Sequence, residues 1–382
     1  MEYKRLGDYI REVNVRNKDL KVTKLVGLTI DKAFIPSVAN VIGTDLSNYK
    51  VIRKEQFACS LMQVSRDGKM PVAMFEEDAA IMSPAYPMFE VIDKKTLLPQ
   101  YLMMWFSRSE FDREASYYAV GGVRGSLTWE DFCNMKFPVP SIDRQREIVE
   151  EYETLSRRIR LNEQMIEKLE ATAQALYRKM FVDGIDKENL PEGWRMGTIE
   201  EFCKDMKSGG TPSRIHPEYW NKKDYPWLKT GEVHNNVILE TEEFISKAGL
   251  DNSSAKLIPQ GSIIMAMYGA TAAQVAYLNC ETTTNQACCN MICQNKADAA
   301  YLFFHLLGNQ QDIKNLANGG AQENLSQELI AQQPILLLND EETKSLFLPI
   351  LDNLIVLYKE NKKLTELQSL LLAKMGQYNN LS

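Results

Sequence analysis

Histidines and cysteines are the side chains of this sequence best suited to ligate a metal or to act as base and nucleophile. The three histidines, at positions 216, 234 and 305, are too few and too scattered for a triad or a metal site. Four of the seven cysteines lie close together in the chain: Cys280, Cys288, Cys289 and Cys293. They lack paired metal-ligand spacing, so we expect buried free thiols and no metal, with a zinc site as the alternative.

Motifs of nucleotide-dependent and group-transfer enzymes are also missing from the sequence. The segment SRDGKM at residues 65–70 has one Gly-Lys pair but lacks the earlier glycine and the Ser or Thr of a phosphate-binding loop. There is no Asp/Asn-Pro-Pro-aromatic motif and no methyltransferase glycine loop. We therefore expect a binding protein rather than an enzyme; a chain with its own nuclease or methyltransferase site is the alternative.

Composition and charge restrict the compartment and the partners that we expect for the chain. The chain has 382 residues, of which 45% are hydrophobic and 25% charged, as in soluble proteins of two or three domains. The apolar runs are too short to span a bilayer, and an odd number of scattered cysteines suits a reducing compartment, so we expect a cytoplasmic protein without a membrane partner. The net charge is −7, and residues 184–338 carry 12 basic against 18 acidic side chains. Contact with nucleic acid would need local basic patches or a basic partner.

An internal repeat is the clearest pattern in the chain. The loop GGVRGSL (residues 121–127) resembles GGAQENL (319–325), and a Tyr-Leu pair precedes each loop by about 20 residues, at positions 101 and 301. Three downstream matches have a constant offset of 195: Lys168-Leu169 with Lys363-Leu364, Leu176 with Leu371, and Lys179-Met180 with Lys374-Met375. The start Arg5-Leu6-Gly7 resembles Arg195-Met196-Gly197. Two half-chains of one plan are the simplest explanation.

Two heptad patterns predict a pair of long helices. The first contains Ile148, Tyr152, Leu155, Ile159, Asn162, Ile166, Leu169, Ala173, Leu176 and Met180. The second contains Phe347, Ile350, Leu354, Leu357, Asn361, Leu364, Gln368, Leu371 and Met375. Asn162 falls at a d position and Asn361 at an a position, which face each other in antiparallel coiled coils. We expect this Asn pair to fix an antiparallel register; the alternative is that each asparagine lies at the edge of its seam.

The elements around these helices predict two mixed blocks and hence an α+β fold. Residues 51–64 and 261–269 have the apolar runs of strands, and a helical segment precedes each glycine loop. Ser141 or Asp143 can cap the first long helix, and acidic residues after Asn339 favour the start of the second. The predicted boundaries are 1–140 and 184–338 for the two similar blocks, and 141–183 and 339–382 for the helices that separate them.

At full length the chain resembles the DNA-specificity (S) subunits of Type I restriction-modification systems. The second half carries the most specific residues: Pro191-Glu192-Gly193-Trp194, Ser208-Gly209-Gly210-Thr211-Pro212-Ser213, Tyr219-Trp220, Trp227-Leu228, Gly231-Glu232, Gly261 through Thr271, and Asn285-Gln286. The first half matches at Met82-Ser83-Pro84-Ala85-Tyr86 and at Pro138-Val139-Pro140, Gln145 and Ile148, but it has no GGTPS loop.

The resemblance implies a non-catalytic subunit with two target-recognition domains. Each domain would read one half of a bipartite, asymmetric sequence in double-stranded DNA, and the coiled coil would set the unread gap. The helices would dock two methyltransferase (M) subunits and, through them, restriction (R) subunits. S-adenosylmethionine would be bound by the M subunits, and this chain would hold no cofactor. A coiled-coil interaction scaffold without DNA readout is the alternative.

Candidate DNA contacts follow from basic, hydroxyl and aromatic side chains at the matched segments. In the second domain they are Lys207, Ser208, Gly209, Gly210, Thr211, Ser213, Arg214, Lys229, Tyr268 and Thr271. In the first domain they are Arg66, Lys69, Tyr86 and Arg124. Lysine and arginine suit phosphates, arginine forks suit guanine edges, and the small residues between Lys207 and Arg214 suit a flexible loop close to the backbone. The alternative for each is a solvated charge or a tyrosine that caps a core.

Overall fold

The computed structural model describes residues 3–37, 43–62, 64–120, 126–183, 185–186, 188–317 and 324–376. The chain forms two compact units. Unit 1 comprises Met1–Ile159 and Leu364–Ser382, and unit 2 comprises Arg160–Lys363. No helix among the described residues combines the length and the apolar character that a membrane crossing needs.

Unit 1 is a mixed domain with antiparallel strands. Its strands are β1 (Tyr3–Arg5), β2 (Ile10–Glu12), β3 (Val26–Leu28), β4 (Phe34–Pro36), β5 (Lys50–Arg53), β6 (Phe57–Cys59), β7 (Val72–Met74), β8 (Ala79–Met82), β9 (Met88–Val91) and β10 (Lys136–Pro138). Its short helices are α1 (Val64–Asp67), α2 (Pro99–Phe106), α3 (Ser109–Val120) and α4 (Trp129–Asn134). The sheet order is β2-β9-β6-β7, and β1-β10, β3-β4 and β5-β8 form pairs.

The core of unit 1 is aromatic. Phe57 and Phe89 stack with their ring centroids 5.0 Å apart, and the ring of Phe106 meets both edge-on. The single strand predicted over residues 51–64 is two strands, because the chain turns at Glu55, whose φ is +65°. The turn places the aromatic side chain of Phe57 in a second sheet.

Unit 2 contains two larger sheets. Its strands are β11 (Arg195–Thr198), β12 (Asp205–Ser208), β13 (Tyr225–Leu228), β14 (Asn236–Ile238), β15 (Glu243–Ile245), β16 (Leu257–Ile258), β17 (Ile263–Ala266), β18 (Val275–Leu278), β19 (Thr282–Thr284), β20 (Cys288–Ile292) and β21 (Pro334–Leu337). Its short helices are α6 (Ile199–Phe202), α7 (Lys247–Asp251), α8 (Lys296–Gly308), α9 (Gln310–Ala317), α10 (Gln327–Ala331) and α11 (Glu341–Ser345), and 3-10 turns lie at Pro217–Tyr219, Thr230–Glu232 and Gly269–Thr271. The sheet orders are β12-β20-β17-β18-β14 and β15-β13-β19-β16, with β11 paired to β21. The predicted strand at 261–269 is the central β17, which is buried on both faces.

The two long helices are α5 (Ile142–Phe181) and α12 (Leu348–Met375). Every predicted seam position is buried or half-buried, so the heptad pattern is confirmed. In unit 2, Asn162 faces Asn361 and Tyr177 lies near Phe347, which makes the helices antiparallel there. Helix α12 is separated from α11 by two residues and has Pro349 in its first turn, where the missing N–H costs no hydrogen bond.

The first turn of α5 is anchored within unit 1. The Ser141 hydroxyl accepts a hydrogen bond from the N–H of Arg144, as predicted for a cap. The buried side chain of Gln145 donates to the carbonyl oxygens of Thr96 and Pro140, both at 2.9 Å, and accepts from the N–H of Leu98. These bonds replace the hydrogen bonds to water that the Gln145 side-chain amide loses when it is buried.

The repeat recurs in the hydrogen bonds that close each domain. The hydroxyl of Tyr101 donates to the carbonyl of Pro138 at 3.1 Å, and that of Tyr301 donates to the carbonyl of Leu336 at 3.0 Å. Likewise, Leu6 N–H bonds the carbonyl of Met135, and Ile199 N–H bonds that of Gln333. Leu6 therefore corresponds to Ile199, and the predicted match of Leu6 with Met196 is wrong by three residues. The β1-β10 and β11-β21 pairings give the same correction.

Candidate nucleic-acid interface

The glycine pair after β12 is tightly packed rather than flexible. The N–H of Gly210 donates to the carbonyl of Thr284 at 2.8 Å, and the indole of Trp227 donates to the carbonyl of Gly210 at 3.0 Å. A Cβ atom at Gly209 would lie 2.2 Å from the carbonyl oxygen of Asn285, and one at Gly210 would lie 2.5 Å from the backbone N of Ala255. Only glycine fits at either position because the neighbouring atoms belong to the backbone. At Gly209 and Gly210 the expected flexibility is therefore not found, since both glycines are packed against the backbone of other segments.

Hydroxyl groups of this loop face polar side chains from other elements. Ser208 donates to the side-chain oxygen of Gln327, and the exposed Thr211 donates to that of Gln286. The carbonyl of Ser213 accepts a hydrogen bond from the indole of Trp220 at 3.3 Å. These hydrogen bonds connect the loop to α10, to the turn between β19 and β20, and to Trp220, which follows the loop in the chain.

Arg214 and Lys229 meet at one carboxylate. The guanidinium carbon of Arg214 lies 3.5 Å from the centroid of the Trp220 ring, and its Nη2 lies 2.6 Å from Glu243. The amine of Lys229 lies 3.1 Å from Glu243 and 2.9 Å from Glu242. Stacking and the ion pair hold the arginine in one orientation while about half of its side chain stays exposed.

This pairing changes the acid-base behaviour of the cluster. Burial opposes ionisation of Glu243, but the hydrogen bonds from Arg214 and Lys229 outweigh it and lower the pKa of that carboxyl. Hydrogen bonds to Glu242 and Glu243 raise the pKa of Lys229. The two cations, Arg214 and Lys229, and the two carboxylates, Glu242 and Glu243, leave the cluster with little net charge. The cluster is therefore not a strongly basic patch.

The other candidates of unit 2 lie around the same region or on its strands. The hydroxyl of Thr271 donates to the carbonyl of Thr230 at 3.1 Å, next to Lys229. Tyr268 precedes the 3-10 turn at Gly269–Thr271 and is 40% exposed. Lys207 pairs with Asp205 of the same strand at 3.3 Å. The structure thus brings Thr271, Lys229 and Arg214 into one neighbourhood.

In unit 1 the candidates are more dispersed. Arg66 pairs with the adjacent Asp67 at 2.6 Å, and Lys69 pairs with Asp31 at 3.1 Å. Tyr86 is half-buried against the small core that contains Phe75, a position that suits a tyrosine that caps a core. Arg124 lies outside the described residues, as do residues 121–125 and 319–323 of the two glycine loops.

Sequence reasoning missed three residues of this neighbourhood: Trp220, Glu243 and Gln286. Trp220 follows Arg214 by six residues, and that spacing of a cation and an aromatic ring was the available signal. Glu243 lies on β15, and the sequence separation from Arg214 offered no signal. Gln286, like Trp220, belonged to the family match but was not selected as a contact.

Of the four clustered cysteines, Cys288 and Cys289 are buried and Cys280 and Cys293 are partly buried. Among the described residues, no three or more His, Cys, Asp or Glu side chains are grouped to hold a metal ion. The clustered cysteines are free, and burial raises the pKa of Cys288 to about 12.

Comparison with known proteins identifies the family. The model of the Type I restriction modification DNA specificity domain matches residues 45–171 and 191–369, more than half of the chain. The chain belongs to this family. One matched segment lies in each half of the repeat. Members of the family are specificity subunits without catalytic activity, so this chain acts in DNA target recognition.

Individual relatives agree with this assignment. The chain is 23% identical over 359 residues to the Type I restriction enzyme HindI specificity subunit of Haemophilus influenzae, across 73% of this chain and 77% of that protein. It is 26% identical over 127 residues to the EcoR124I/EcoR124II specificity subunit of Escherichia coli, across 32% and 30% of the two chains. The crystal structure of the Type I restriction-modification system S subunit from M. genitalium shares the fold, with a TM-score of 0.57 at 12% identity over 100% of this chain and 96% of that one.

Proposed function

We propose that this specificity subunit reads a bipartite, asymmetric sequence in double-stranded DNA, one half-site for each recognition domain. The proposal is supported most directly by the same two-stranded pairing in both domains, β1 with β10 and β11 with β21. The candidate DNA-contacting side chains of the two domains nevertheless differ. Arg66 and Lys69 belong to the first, and Arg214 and Lys229 to the second. Two recognition domains that share one architecture but carry different contact side chains would recognise two different half-sites.

In the second domain, Arg214 is the group best prepared to read a base. Its guanidinium is already stacked and paired, so little rotamer entropy is lost when it binds DNA. An arginine fork matches the O6 and N7 acceptors of guanine in the major groove. Thr211 and Gln286 add neighbouring hydrogen-bonding groups on the same loop and turn.

We further propose that two M subunits, and R subunits through them, assemble on the long helices. In unit 1 an apolar groove of about 590 Å³ lies between α5 and α12. Leu155, Leu367, Leu370 and Leu371 line it, and Glu147, Glu150 and Glu151 contribute carboxylates. Basic partner subunits would supply phosphate neutralisation that this chain, at a net charge of −7, lacks. S-adenosylmethionine would be bound in those partners.

The test is modified-base sequencing of a plasmid from cells that express the methyltransferase subunit with or without this chain. We expect a split adenine-methylated motif only when the chain is present, with both half-sites and the gap read directly. A stable complex that methylates no such motif would favour an interaction scaffold.

A further inference from the structure

Ile215, in the loop that follows Arg214, is held out into solvent. Its side chain is 87% exposed, the highest value for a large hydrophobic residue in the described part of the chain. Isolated exposed aliphatic side chains are common on protein surfaces and need no function. What distinguishes Ile215 is how firmly its two neighbours are fixed.

Both residues that flank Ile215 pack against aromatic rings. Arg214 lies 3.5 Å above Trp220, and the ring of His216 lies 4.9 Å from that of Tyr219 at an interplanar angle of 30°. The backbone is held as well: the N–H of Tyr219 bonds the carbonyl of His216 at 3.0 Å, and the N–H of His216 bonds that of Ser213 at 3.3 Å.

A fixed, exposed isoleucine has a restricted set of partners in DNA. It offers no hydrogen bond, so it can distinguish bases only by van der Waals contact. The C5-methyl group of thymine is the apolar group that the base edges present in the major groove. The neighbouring Arg214 can contact a phosphate or a guanine, which would bring Ile215 to a base edge beside it.

We propose that Ile215 is a specificity-determining residue that packs against the methyl group of one thymine in the half-site read by unit 2. This proposal rests on the proposed function of the chain. The proposal adds to that function one apolar contact, between Ile215 and one thymine.

The experiment uses the complex of this chain with its methyltransferase subunit and a duplex that carries the sequenced motif. Each thymine of both half-sites is replaced in turn by deoxyuridine, which removes only the methyl group. Binding is measured for the parent chain, Ile215→Ala, Ile215→Val, and Leu329→Ala as a matched control, since Leu329 is an exposed aliphatic residue of the same unit.

We expect one thymine, in one half-site, whose replacement weakens binding of the parent complex about fourfold, the effect of losing one buried methyl contact. Ile215→Ala should bind the unmodified duplex equally weakly and be insensitive to that replacement. Ile215→Val should keep most of the sensitivity, and Leu329→Ala should behave as the parent.

Three results would overturn the inference alone: a motif without thymine, replacements that all change parent binding less than twofold, or Ile215→Ala that stays as sensitive as the parent. A parent complex that yields no motif would instead overturn the proposed function. Thermal unfolding of Ile215→Ala checks that the variant is folded.

Discussion

At the residue scale, the glycine pair of unit 2 illustrates how backbone crowding dictates a residue type. Neither Gly209 nor Gly210 has a positive φ, so their need for glycine comes from contact and not from turn geometry. The Gly210 carbonyl also accepts the Trp227 indole hydrogen bond, which couples the loop to the core of the recognition domain.

We predict that Gly210→Ala lowers the free energy of unfolding by about 1–3 kcal/mol, since overpacking forces the backbone near Ala255 to move. Denaturant unfolding followed by tryptophan fluorescence would measure it. Gly231→Ala is the control, because a Cβ there meets no atom within 4 Å. Equal unfolding midpoints for the two variants would contradict the prediction.

Arg214 permits a second prediction at this scale. Arg214→Lys keeps the charge and can reach Glu243, but it loses the planar stack on Trp220. We expect relaxed base preference in one half-site and an unchanged second half-site, measured by modified-base sequencing. Arg195→Lys is the matched control, since Arg195 is an exposed arginine paired with Glu201 in the same unit. A motif that is identical for all three chains would contradict the role of Arg214.

At the element scale, the two long helices combine an apolar seam with one polar layer. The side-chain amide of Asn162 donates to the side-chain oxygen of Asn361 at 2.8 Å, and Asn162 is almost fully buried. A buried amide pair favours the register in which both partners meet, at a cost in stability relative to leucine. That Asn162 and Asn361 fix the register stays a prediction.

We expect each single replacement, Asn162→Leu or Asn361→Leu, to destabilise the protein by about 1–3 kcal/mol because it removes the hydrogen bond between the two amides and places leucine against the remaining polar side chain. The double replacement should recover that stability or exceed it, and should loosen the register. Denaturant unfolding gives the first result, and the gap of the methylated motif gives the second. A more stable double variant that keeps one sharp gap would refute the register role.

The packing of α8 on α5 predicts a pH dependence of stability. His305 is buried, its Nδ1 lies 2.6 Å from the hydroxyl of Tyr177, and burial lowers the pKa of His305 to about 4. In the unfolded chain a histidine titrates near pH 6.5. The unfolded state therefore binds a proton first as pH falls, and stability is lost between about pH 6.5 and 4.

The expected loss is about 3 kcal/mol across that window, with a slope of up to about 1.4 kcal/mol per pH unit. Denaturant unfolding between pH 5 and 6.5 would measure it before most carboxylates titrate. His305→Gln should flatten the slope, whereas His234→Gln, at an exposed histidine, should leave it unchanged. An unaltered slope in His305→Gln would contradict the prediction.

At the scale of the whole molecule, the prediction that the helices set the unread gap is open to a direct test. One heptad added to each of α5 and α12 at opposed positions adds about 10 Å of helix, equivalent to about three base pairs. We expect the motif to keep both half-sites and to lengthen its gap. Replacement of seven exposed helix residues without insertion is the control. An unchanged gap with both half-sites still read would show that the helices do not determine it.

The heptad seam, the facing asparagines, the α+β class and the twofold repeat could all be predicted from the sequence. These features depend on periodicity and on short local signals, such as the Ser141 cap, which remain visible along the chain. The family match rested on residues of the same kind, including Trp227 and the GGTPS segment. Such patterns can be recognised in the sequence because helices and strands place residues at fixed, short spacings on the same face.

Only the tertiary structure decided which side chains meet in the candidate interface. It joined Arg214 to Glu243 and Trp220, showed that Gly209 and Gly210 are crowded by Asn285 and Ala255, and moved the start of the repeat by three residues. Pairing partners on different strands share no periodic signal, because strand order and register are set by packing of the whole sheet. The sequence could therefore predict the elements, whereas the neighbours of each functional side chain required the fold.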